Sequence, residues 1–303
     1  MCCIYKMSKQ RERSDFLIRV QKRGLSFFLV GAVYVLTAVV GIWLYGRILG
    51  AQWLRLLGAD VGATVCCFLF SLLFKNASVY DPYRSVQPMV ILPALAVGKE
   101  LSLYQILLMA AVCLWGLRLT ANWAYTFHGL TAEEWRYRML REKTGIFYPV
   151  INFVGIHMVP TLVVWGCTLP GATVLWEGAK GNLWSCLTLL LCLTAVLLQG
   201  TADVQMHRFR KVGSGGFIRV GLWKHSRHPN YLGEILMWWG VGLSCCLALG
   251  GKWYLLAGAA ANTLLFFCVS IPMADGRQSK KPGFAQYKKE TRMLLPIKKL
   301  RRP

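Results

Sequence analysis

The sequence predicts an all-α integral membrane protein, a bundle of about seven to eight transmembrane helices with both termini in the cytoplasm. Hydrophobic residues make up 55% of the 303 positions, and the mean hydropathy is +0.44. Several apolar runs approach the roughly 20 residues that a helix needs to cross the bilayer. Lys and Arg are concentrated in alternate connections between these runs, the bias that orients helical membrane proteins. These observations leave no stretch for a soluble domain of any size.

Eight apolar runs are candidate membrane spans. In chain order they are Gly24–Tyr45, Trp53–Phe74, Val86–Val97, Leu101–Trp123, Ile146–Thr168, Leu183–Val204, Pro229–Leu249 and Trp253–Met273. The run Val86–Val97 is the weakest candidate because it is short for a full crossing, so it is either an eighth span or a re-entrant segment. Eight spans place both termini on one side of the membrane.

A short cytoplasmic helix is predicted in the polar connection Gly129–Gly145. Thr131 is the expected N-cap residue, because Glu134 follows it at the spacing of a capping box.

The net charge of +22 comes from 35 Lys and Arg against 13 Asp and Glu. A strongly basic chain can bind nucleic acid. Here the charge lies in short loops instead: residues 1–23 carry seven basic residues, residues 205–228 carry six, and the tail from Asp275 carries ten. This pattern predicts a basic cytoplasmic N-terminal segment over 1–23, a transmembrane domain over 24–274 and a basic cytoplasmic tail over 275–303. It predicts no nucleic-acid partner.

Most of the eleven cysteines lie in apolar spans or at their edges, where a free thiol behaves as a small hydrophobic group. The chain has no Cys-x-x-Cys motif, so we expect neither a redox motif nor a metal site.

Polar side chains at membrane depth are the candidate functional residues, because each costs roughly 2.5–3.5 kcal/mol at the centre of a span. Three pairs are spaced one helical turn apart: Arg118 with Asn122, Gln199 with Asp203, and Asn230 with Glu234. Arg210 follows Asp203 by about two turns. A structural role is the alternative for each, since Asp203 lies near the membrane surface and Arg118 can snorkel. For Glu234, which lies inside the span that begins at Pro229 and one turn after Asn230, a functional role is the favoured interpretation.

Three further residues at membrane depth have a simpler expected role. His157, alone among apolar neighbours, is more typical of a satisfied structural histidine. Trp238 and Trp239 indicate packing rather than a binding site.

The segment His225–Glu234 combines these polar groups with a helix start. Pro229 suits the first turn of a helix, where no backbone donor is needed. Arg227 and His228 then lie where free N–H groups and the helix dipole favour an anion. A carboxyl group in an apolar site tends to stay protonated, so Glu234 can donate a hydrogen bond to a substrate carbonyl. The segment predicts an anionic cofactor at the cytoplasmic mouth and a lipid-like substrate in the membrane.

The same segment carries a family resemblance. The stretch "GLWKHSRHPNYLGEILMWWG" (Gly221–Gly240) closely resembles the signature of the steroid 5-alpha-reductase-like membrane proteins, especially their bacterial branch of unknown substrate. Further similar stretches are "NASVYDPYRSVQP", in which Arg84 replaces the usual tryptophan, "WGLRLTANW", "EEWRYRMLRE", "ADVQMHRFR" and "KKPGFAQYKKETRMLLP". The resemblance covers about residues 50–297 and specifies the family better than the substrate.

The resemblance implies seven to ten spans, a reductase core over about 100–274, and NADPH as the donor of a hydride to a carbon–carbon double bond conjugated to a ketone. By position, Asn230 and Glu234 match the family residues at the nicotinamide and the substrate carbonyl. Asp203 and Arg210 match its cofactor-binding pair, and Arg118 matches an arginine of the cofactor pocket.

Other residues enter this hypothesis more loosely. Asn122, on the face of Arg118, joins the cofactor-binding set, and Tyr231 is a local candidate for proton donation. Lys280 or Lys281 stands where the animal steroid reductases have a tyrosine.

In the resulting mechanism, NADPH binds from the cytoplasmic side with its phosphates on Arg210, Arg227 and His228. A lipophilic, steroid-like enone enters laterally from the bilayer, and protonated Glu234 binds its ketone oxygen. We expect an integral, multi-pass protein of the inner membrane in a bacterium or of the endoplasmic reticulum in a eukaryote, with no obligate protein partner.

Two other function classes remain open. "RHPNY" is also similar to an element of the isoprenylcysteine and phospholipid methyltransferases, which bind S-adenosylmethionine and place a glutamate after the last span; that position resembles Asp275. The other class is a non-catalytic lipid-binding membrane protein. The presence of Asn230, Glu234, Asp203 and Arg210 favours the reductase.

Overall fold

A computed structural model describes residues 23–213 and 215–295, and every regular element in these ranges is helical apart from one bridge between Ser226 and Arg292. The α-helices are α1 (Arg23–Arg47), α2 (Gln52–Leu73), α3 (Tyr83–Ala96), α4 (Leu103–Thr126), α5 (Trp135–Thr144), α6 (Tyr148–Ile151), α7 (Val159–Glu177), α8 (Leu183–Val212), α9 (Pro229–Ala248), α10 (Ala257–Leu265), α11 (Ile271–Gln278) and α12 (Phe284–Glu290). Most of the predicted N-terminal segment 1–23 and the end of the tail lie outside the described residues.

Seven helical stretches in the described ranges are long and apolar enough to cross a membrane: Arg23–Arg47, Gln52–Leu73, Leu103–Thr126, Trp135–Glu177, Leu183–Val212, Pro229–Ala248 and Trp253–Gln278. The stretch Trp135–Glu177 joins α5, α6 and α7 through π-helical residues Asn152–Met158. The prediction of a multi-pass helical membrane protein is confirmed.

The eighth candidate span, Val86–Val97, falls almost entirely in α3 and is not one of the seven. The expectation that both termini lie in the cytoplasm needs an even number of crossings, so it does not follow from these seven. Helix α3 has 14 residues and contains Pro88 and Pro93. At a rise of 1.5 Å per residue it is about 21 Å long, shorter than the roughly 30 Å hydrocarbon core.

The chain forms two compact units. Unit 1 comprises Leu119–Trp165 and the described part of Met1–Gln87, and unit 2 comprises Pro88–Arg118 and the described part of Gly166–Pro303. The boundaries fall inside α3, α4 and α7.

In unit 1, α1 packs against α2 and against a buried turn that precedes α3. The Asn76 side chain donates to the carbonyl of Leu130 at 2.6 Å and accepts from the Ser78 amide, which satisfies polar groups at the base of this turn. The predicted short helix is α5, but the prediction of Thr131 as its N-cap residue was wrong. The helix begins at Trp135, where the Glu134 carboxylate accepts from the Arg136 amide at 2.7 Å.

In unit 2, α8 and α9 form the most extensive helix pair. Two glycines of α9 allow the close approach: a Cβ at Gly233 would lie 2.9 Å from the carbonyl oxygen of Ala195, and one at Gly240 would lie 2.7 Å from the Sγ of Cys192. Helix α9 begins at Pro229, as the sequence predicts.

The most basic described segments share one end of unit 2. Arg219 donates to the carbonyl of Gly283 at 3.1 Å, and Lys281 donates to that of Gly216 at 2.7 Å. The loop 205–228 and the tail after Asp275 therefore lie together, as a common cytoplasmic location requires.

The connections at the opposite end of unit 2 carry little net charge, and polar contacts hold them together. Lys99 donates to the carbonyl of Leu175 at 2.7 Å, Asn182 donates to that of Leu247 at 3.0 Å, and Lys252 pairs with Glu177.

Helices α7 and α10 cross at a pair of glycines. A Cβ at Gly258 would lie 2.1 Å from the carbonyl carbon of Gly166, so the backbones meet with no room for a side chain. Small residues at helix crossings let backbones approach in this way.

We expect Gly258→Ala to destabilise the protein by about 2 kcal/mol or more, because the new methyl group meets backbone that has to move. Gly200→Ala is the matched control, since a Cβ there meets nothing within 4 Å. Thermal unfolding in detergent micelles measures both variants. Equal unfolding midpoints for the two would contradict the crossing.

Candidate functional site

Glu234 lies at the centre of a polar cluster in unit 2. Its Oε2 accepts hydrogen bonds from Trp115 Nε1 at 2.8 Å and from Gln199 Nε2 at 2.9 Å. Its Oε1 accepts from Trp238 Nε1 at 3.2 Å. The three partners come from α4, α8 and α9, so the carboxylate ties three membrane-spanning helices together.

Arg118 connects this carboxylate to a second one. Its Nη1 donates to Asp203 Oδ2 at 2.6 Å, and its Nη2 lies 3.9 Å from Glu234 Oε2. The three side chains are only 14–16% exposed. With both carboxyl groups ionised, the cluster carries one positive and two negative charges. Removing either partner of so buried a pair leaves an uncompensated charge, which is strongly destabilising.

Helical periodicity explains why these residues meet. Trp115 precedes Arg118 by three positions, Gln199 precedes Asp203 by four, and Glu234 precedes Trp238 by four. Side chains at these spacings share a helix face. Each helix therefore contributes one pair to the cluster.

Sequence reasoning identified Arg118, Gln199, Asp203 and Glu234 separately, and the structure brings them together. It missed the indole donors. Trp238 was interpreted as packing, and its buried ring does pack edge-on against Trp115 at 4.8 Å. Both indoles also hydrogen-bond Glu234. The available signal was the i, i+4 spacing from Glu234 to Trp238.

The three hydrogen-bond partners of Glu234 among the described residues are N–H donors, so its carboxylate acts as an acceptor in this conformation. The sequence-based hypothesis has Glu234 protonated and donating to a ketone. Oε1 receives a single, longer hydrogen bond, from Trp238, whereas Oε2 receives two. A proton on Oε1 therefore disturbs fewer hydrogen bonds than a proton on Oε2.

Arg227 and His228 belong to a second cluster, centred on Asp275. Arg227 Nη2 lies 3.2 Å from Asp275 Oδ2, and His228 Nε2 lies 2.9 Å from Asp275 Oδ1. Arg227 Nη1 also donates to the carbonyl of Thr291 at 2.9 Å. Both basic side chains are 8% exposed. A phosphate site at the helix start requires these side chains to be open to a ligand. Here both are instead bonded to groups of the protein.

The remaining predicted site residues have other surroundings. The Tyr231 ring stacks on His228 at 5.1 Å and contacts Phe266. Asn230 is half-buried, one turn before Glu234 on α9. Asn122 belongs to unit 1, whereas Arg118 of the same helix belongs to unit 2.

Arg210 is exposed and lies among other cations. It is close enough to Asp203 to act on that carboxyl group electrostatically. Partial burial, together with the guanidinium groups of Arg277 and Arg210, lowers the pKa of Lys281 below its ordinary value. Arg210, Arg277 and Lys281 therefore form a group of three cations, the basic triplet, of which sequence reasoning named Arg210 and, on other grounds, Lys281.

Unit 1 contains a buried polar network that sequence reasoning missed. Asp60 of α2 accepts hydrogen bonds from Tyr83 at 3.3 Å and from Gln87. Thr64 lies 3.5 Å from the Tyr83 hydroxyl and 2.9 Å from the Thr161 hydroxyl. The signal was present, since Asp60 is an acidic residue inside an apolar run.

His157 borders this network in the π-helical segment Asn152–Met158. Its ring lies 4.5 Å from that of Tyr80, whose hydroxyl is 2.7 Å from the Thr161 hydroxyl. The His157 Nδ1 bonds to the carbonyl of Asn152 at 2.9 Å, whereas its buried Nε2 has no partner among the described residues. The expectation of a satisfied structural histidine therefore holds for Nδ1, whereas Nε2 has no partner in the described ranges.

A family model described as "Protein of unknown function (DUF1295)" matches residues 67–291. The match spans well over half of the chain, so the chain belongs to this family. It includes the clusters around Glu234 and Asp275 and excludes Asp60. Searches of curated proteins and of solved structures found no match.

Two substitutions of Asp60 should differ in their effect on the stability of the folded protein. In Asp60→Asn, the amide can accept from Tyr83 and donate to Gln87 once Gln87 turns its amide, so we expect near wild-type stability. In Asp60→Leu, buried hydrogen-bonding groups lose their partner, at a cost of about 2–3 kcal/mol. Thermal unfolding in micelles compares them. A leucine variant as stable as the asparagine variant would show that the network contributes nothing.

Proposed function

We propose that this member of the DUF1295 family is a membrane-embedded, NADPH-dependent reductase of a carbon–carbon double bond conjugated to a ketone in a lipophilic, steroid-like substrate. The observation that carries the proposal is the convergence of Arg118, Gln199, Asp203 and Glu234 in one cluster. The resemblance to the steroid 5-alpha-reductase-like proteins assigns cofactor or substrate contacts to three of these four residues.

The unpaired atoms of the cluster fit a carboxamide group. Arg118 Nε is a buried donor and Gln199 Oε1 a buried acceptor, and neither has a hydrogen-bond partner among the described residues. A carboxamide, such as that of nicotinamide, offers one acceptor and one donor group. Both atoms are buried in this conformation, so binding requires the side chains to rearrange.

The basic triplet, Arg210, Arg277 and Lys281, supplies positive charge for the cofactor phosphates. Arg210 follows Asp203 on α8 by about two turns, which places positive charge on the same helix as the cluster. Arg227 and His228 are engaged with Asp275, so we assign the phosphate contacts first to the triplet.

NADPH, when bound, supplies the hydride. The residues of the chain position the reactants and balance charge: with Glu234 protonated, as this mechanism requires, the Arg118 guanidinium and the Asp203 carboxylate beside it balance each other. The buried indoles of Trp115 and Trp238 exclude water from the Glu234 carboxyl group. Protonated at Oε1, Glu234 can donate to the substrate ketone, and Asn230 lies one turn before it. Tyr231 remains the local candidate for proton donation.

A second candidate function is methyl transfer from S-adenosylmethionine, and one observation favours it. The arginine and histidine of "RHPNY", Arg227 and His228, pair with Asp275. Asp275 stands at the position that resembles the glutamate which the methyltransferases place after their last span. In that case Asp275 orients Arg227 and His228 for the carboxylate of the cofactor.

A ligand titration separates the two functions. We expect NADPH to raise the thermal unfolding midpoint of the purified protein in a concentration-dependent way, because a ligand that binds only the folded state stabilises it. NADH and S-adenosylmethionine are titrated in parallel. Stabilisation by S-adenosylmethionine alone would replace the reductase with the methyltransferase, and no stabilisation by either cofactor would favour the non-catalytic lipid-binding class.

We expect Glu234→Gln to lower turnover about 100-fold or more while NADPH still binds, because general acid catalysis contributes at least that factor. Oxidation of NADPH in the presence of conjugated ketones, steroids first, measures turnover. Glu177→Gln is the control, since Glu177 is an exposed carboxylate paired with Lys252 at the other end of unit 2. Wild-type turnover in Glu234→Gln would remove Glu234 from the mechanism.

A further inference from the structure

A cavity of about 420 Å³ opens at the basic end of unit 2, between the last spanning helix and the tail. Its lining residues are Arg227, Phe267, Lys288, Thr291, Arg292, Met293, Leu294 and Leu295. We call it the tail cavity. The tail is held against α9 by backbone bonds, since the amides of Arg227 and His228 donate to the carbonyls of Arg292 and Met293 at 2.9 and 3.2 Å.

The tail cavity has an excess of positive charge. Arg227, Lys288 and Arg292 line it, and among the described residues the carboxylate paired with them is Asp275, 3.2 Å from Arg227 and 3.7 Å from Lys288. One carboxylate against three cations leaves a formal charge of +2, to which His228 adds when it is protonated.

Glu290, the other carboxylate near this part of the tail, is exposed on α12. It accepts a hydrogen bond from Gln286 at 2.5 Å.

The guanidinium of Arg227 still has an unused donor. Its Nη atoms bond to Asp275 and Thr291, but its buried Nε has no hydrogen-bond partner among the described residues. A buried donor without a partner costs about 1–3 kcal/mol. A ligand oxygen in the tail cavity can remove that cost.

The other wall of the cavity is apolar and continuous with the surface of a spanning helix. Phe267 belongs to the stretch Trp253–Gln278 and is 42% exposed, and Leu295 on the tail is 50% exposed. An exposed aromatic side chain on a spanning helix faces acyl chains in a bilayer. The cavity thus joins cations at the basic end to a lipid-facing surface.

We propose that the tail cavity binds an anionic phospholipid, with the phosphate on Arg227, Lys288 and Arg292 and the upper acyl chain against Phe267 and Leu295. Basic pockets at the cytoplasmic side of membrane proteins bind anionic headgroups on this principle. A nucleotide shares the phosphate but has no acyl chain for the apolar wall. The lipid site does not depend on the reductase function.

The test compares two double variants with the same loss of charge. Lys288→Gln with Arg292→Gln removes the exposed cations of the cavity, and Lys280→Gln with Lys289→Gln removes two exposed tail lysines that do not line it. Affinity is measured for a fluorescent phosphatidylglycerol and for a phosphatidylcholine with the same acyl chains, by titration of the full-length protein in micelles.

We expect wild type to prefer phosphatidylglycerol, and the cavity variant to lose roughly 25-fold in affinity, about fivefold per cation. The control variant should stay within about twofold of wild type. If unfolding midpoints show that the cavity variant folds poorly, Lys288→Gln alone, with a side chain 57% exposed, carries the comparison with an expected fivefold loss.

Three outcomes would overturn the lipid site. Equal losses in both double variants would indicate diffuse attraction to the basic tail, and equal affinities for the two lipids would exclude headgroup recognition. Displacement of phosphatidylglycerol by NADPH, abolished in the cavity variant only, would assign the cavity to the nucleotide. None of these outcomes touches the Glu234 experiment, so failure of the lipid site and failure of the reductase are distinguishable.

Discussion

A polar side chain in the hydrocarbon core has to find its hydrogen-bond partner inside the protein, because lipid offers none. The cluster around Glu234 shows the consequence most clearly. One carboxylate collects Trp115, Gln199 and Trp238, and Arg118 links it to Asp203. These contacts tie α4, α8 and α9 at one level, so the helix arrangement of unit 2 and the geometry of its candidate site have the same cause.

The same constraint acts in unit 1 with a different result. Asp60 is enclosed by Tyr83 and Gln87, in a network of hydroxyl and amide groups whose hydrogen bonds join neutral side chains to the carboxyl group. His157 Nε2, which has no hydrogen-bond partner in the part of the chain that the structure describes, borders this network in a π-helical segment, an irregularity frequent at functional sites. The two units therefore contain buried acidic residues of different character. Glu234 lies beside a fixed positive charge, and Asp60 relies on neutral donors.

Acidic and basic side chains occupy different parts of unit 2. The Glu234 cluster holds two carboxyl groups and one guanidinium, the basic triplet of Arg210, Arg277 and Lys281 lies at the basic end of the unit, and the tail cavity combines three cations with an apolar wall. Anionic ligands that approach this end of unit 2 meet positive charge first, which raises their local concentration. The proposed reductase site and the proposed lipid site use different cations of this end: the first uses Arg210, Arg277 and Lys281, and the second uses Arg227, Lys288 and Arg292.

Composition, apolar run length and loop charge determined the class of protein, the position of seven spans and the start of α9 at Pro229, because these depend on local sequence and on the bilayer thickness. Helical spacing also selected Arg118, Asp203 and Glu234. Only the tertiary structure decided which residues meet. It brought Trp115 and Trp238 to Glu234 and buried Arg227 and His228 against Asp275, 48 and 47 positions further along the chain. It also surrounded Asp60 with partners. Such pairings depend on which helix faces turn towards each other, and periodicity within one helix carries no information about its neighbour.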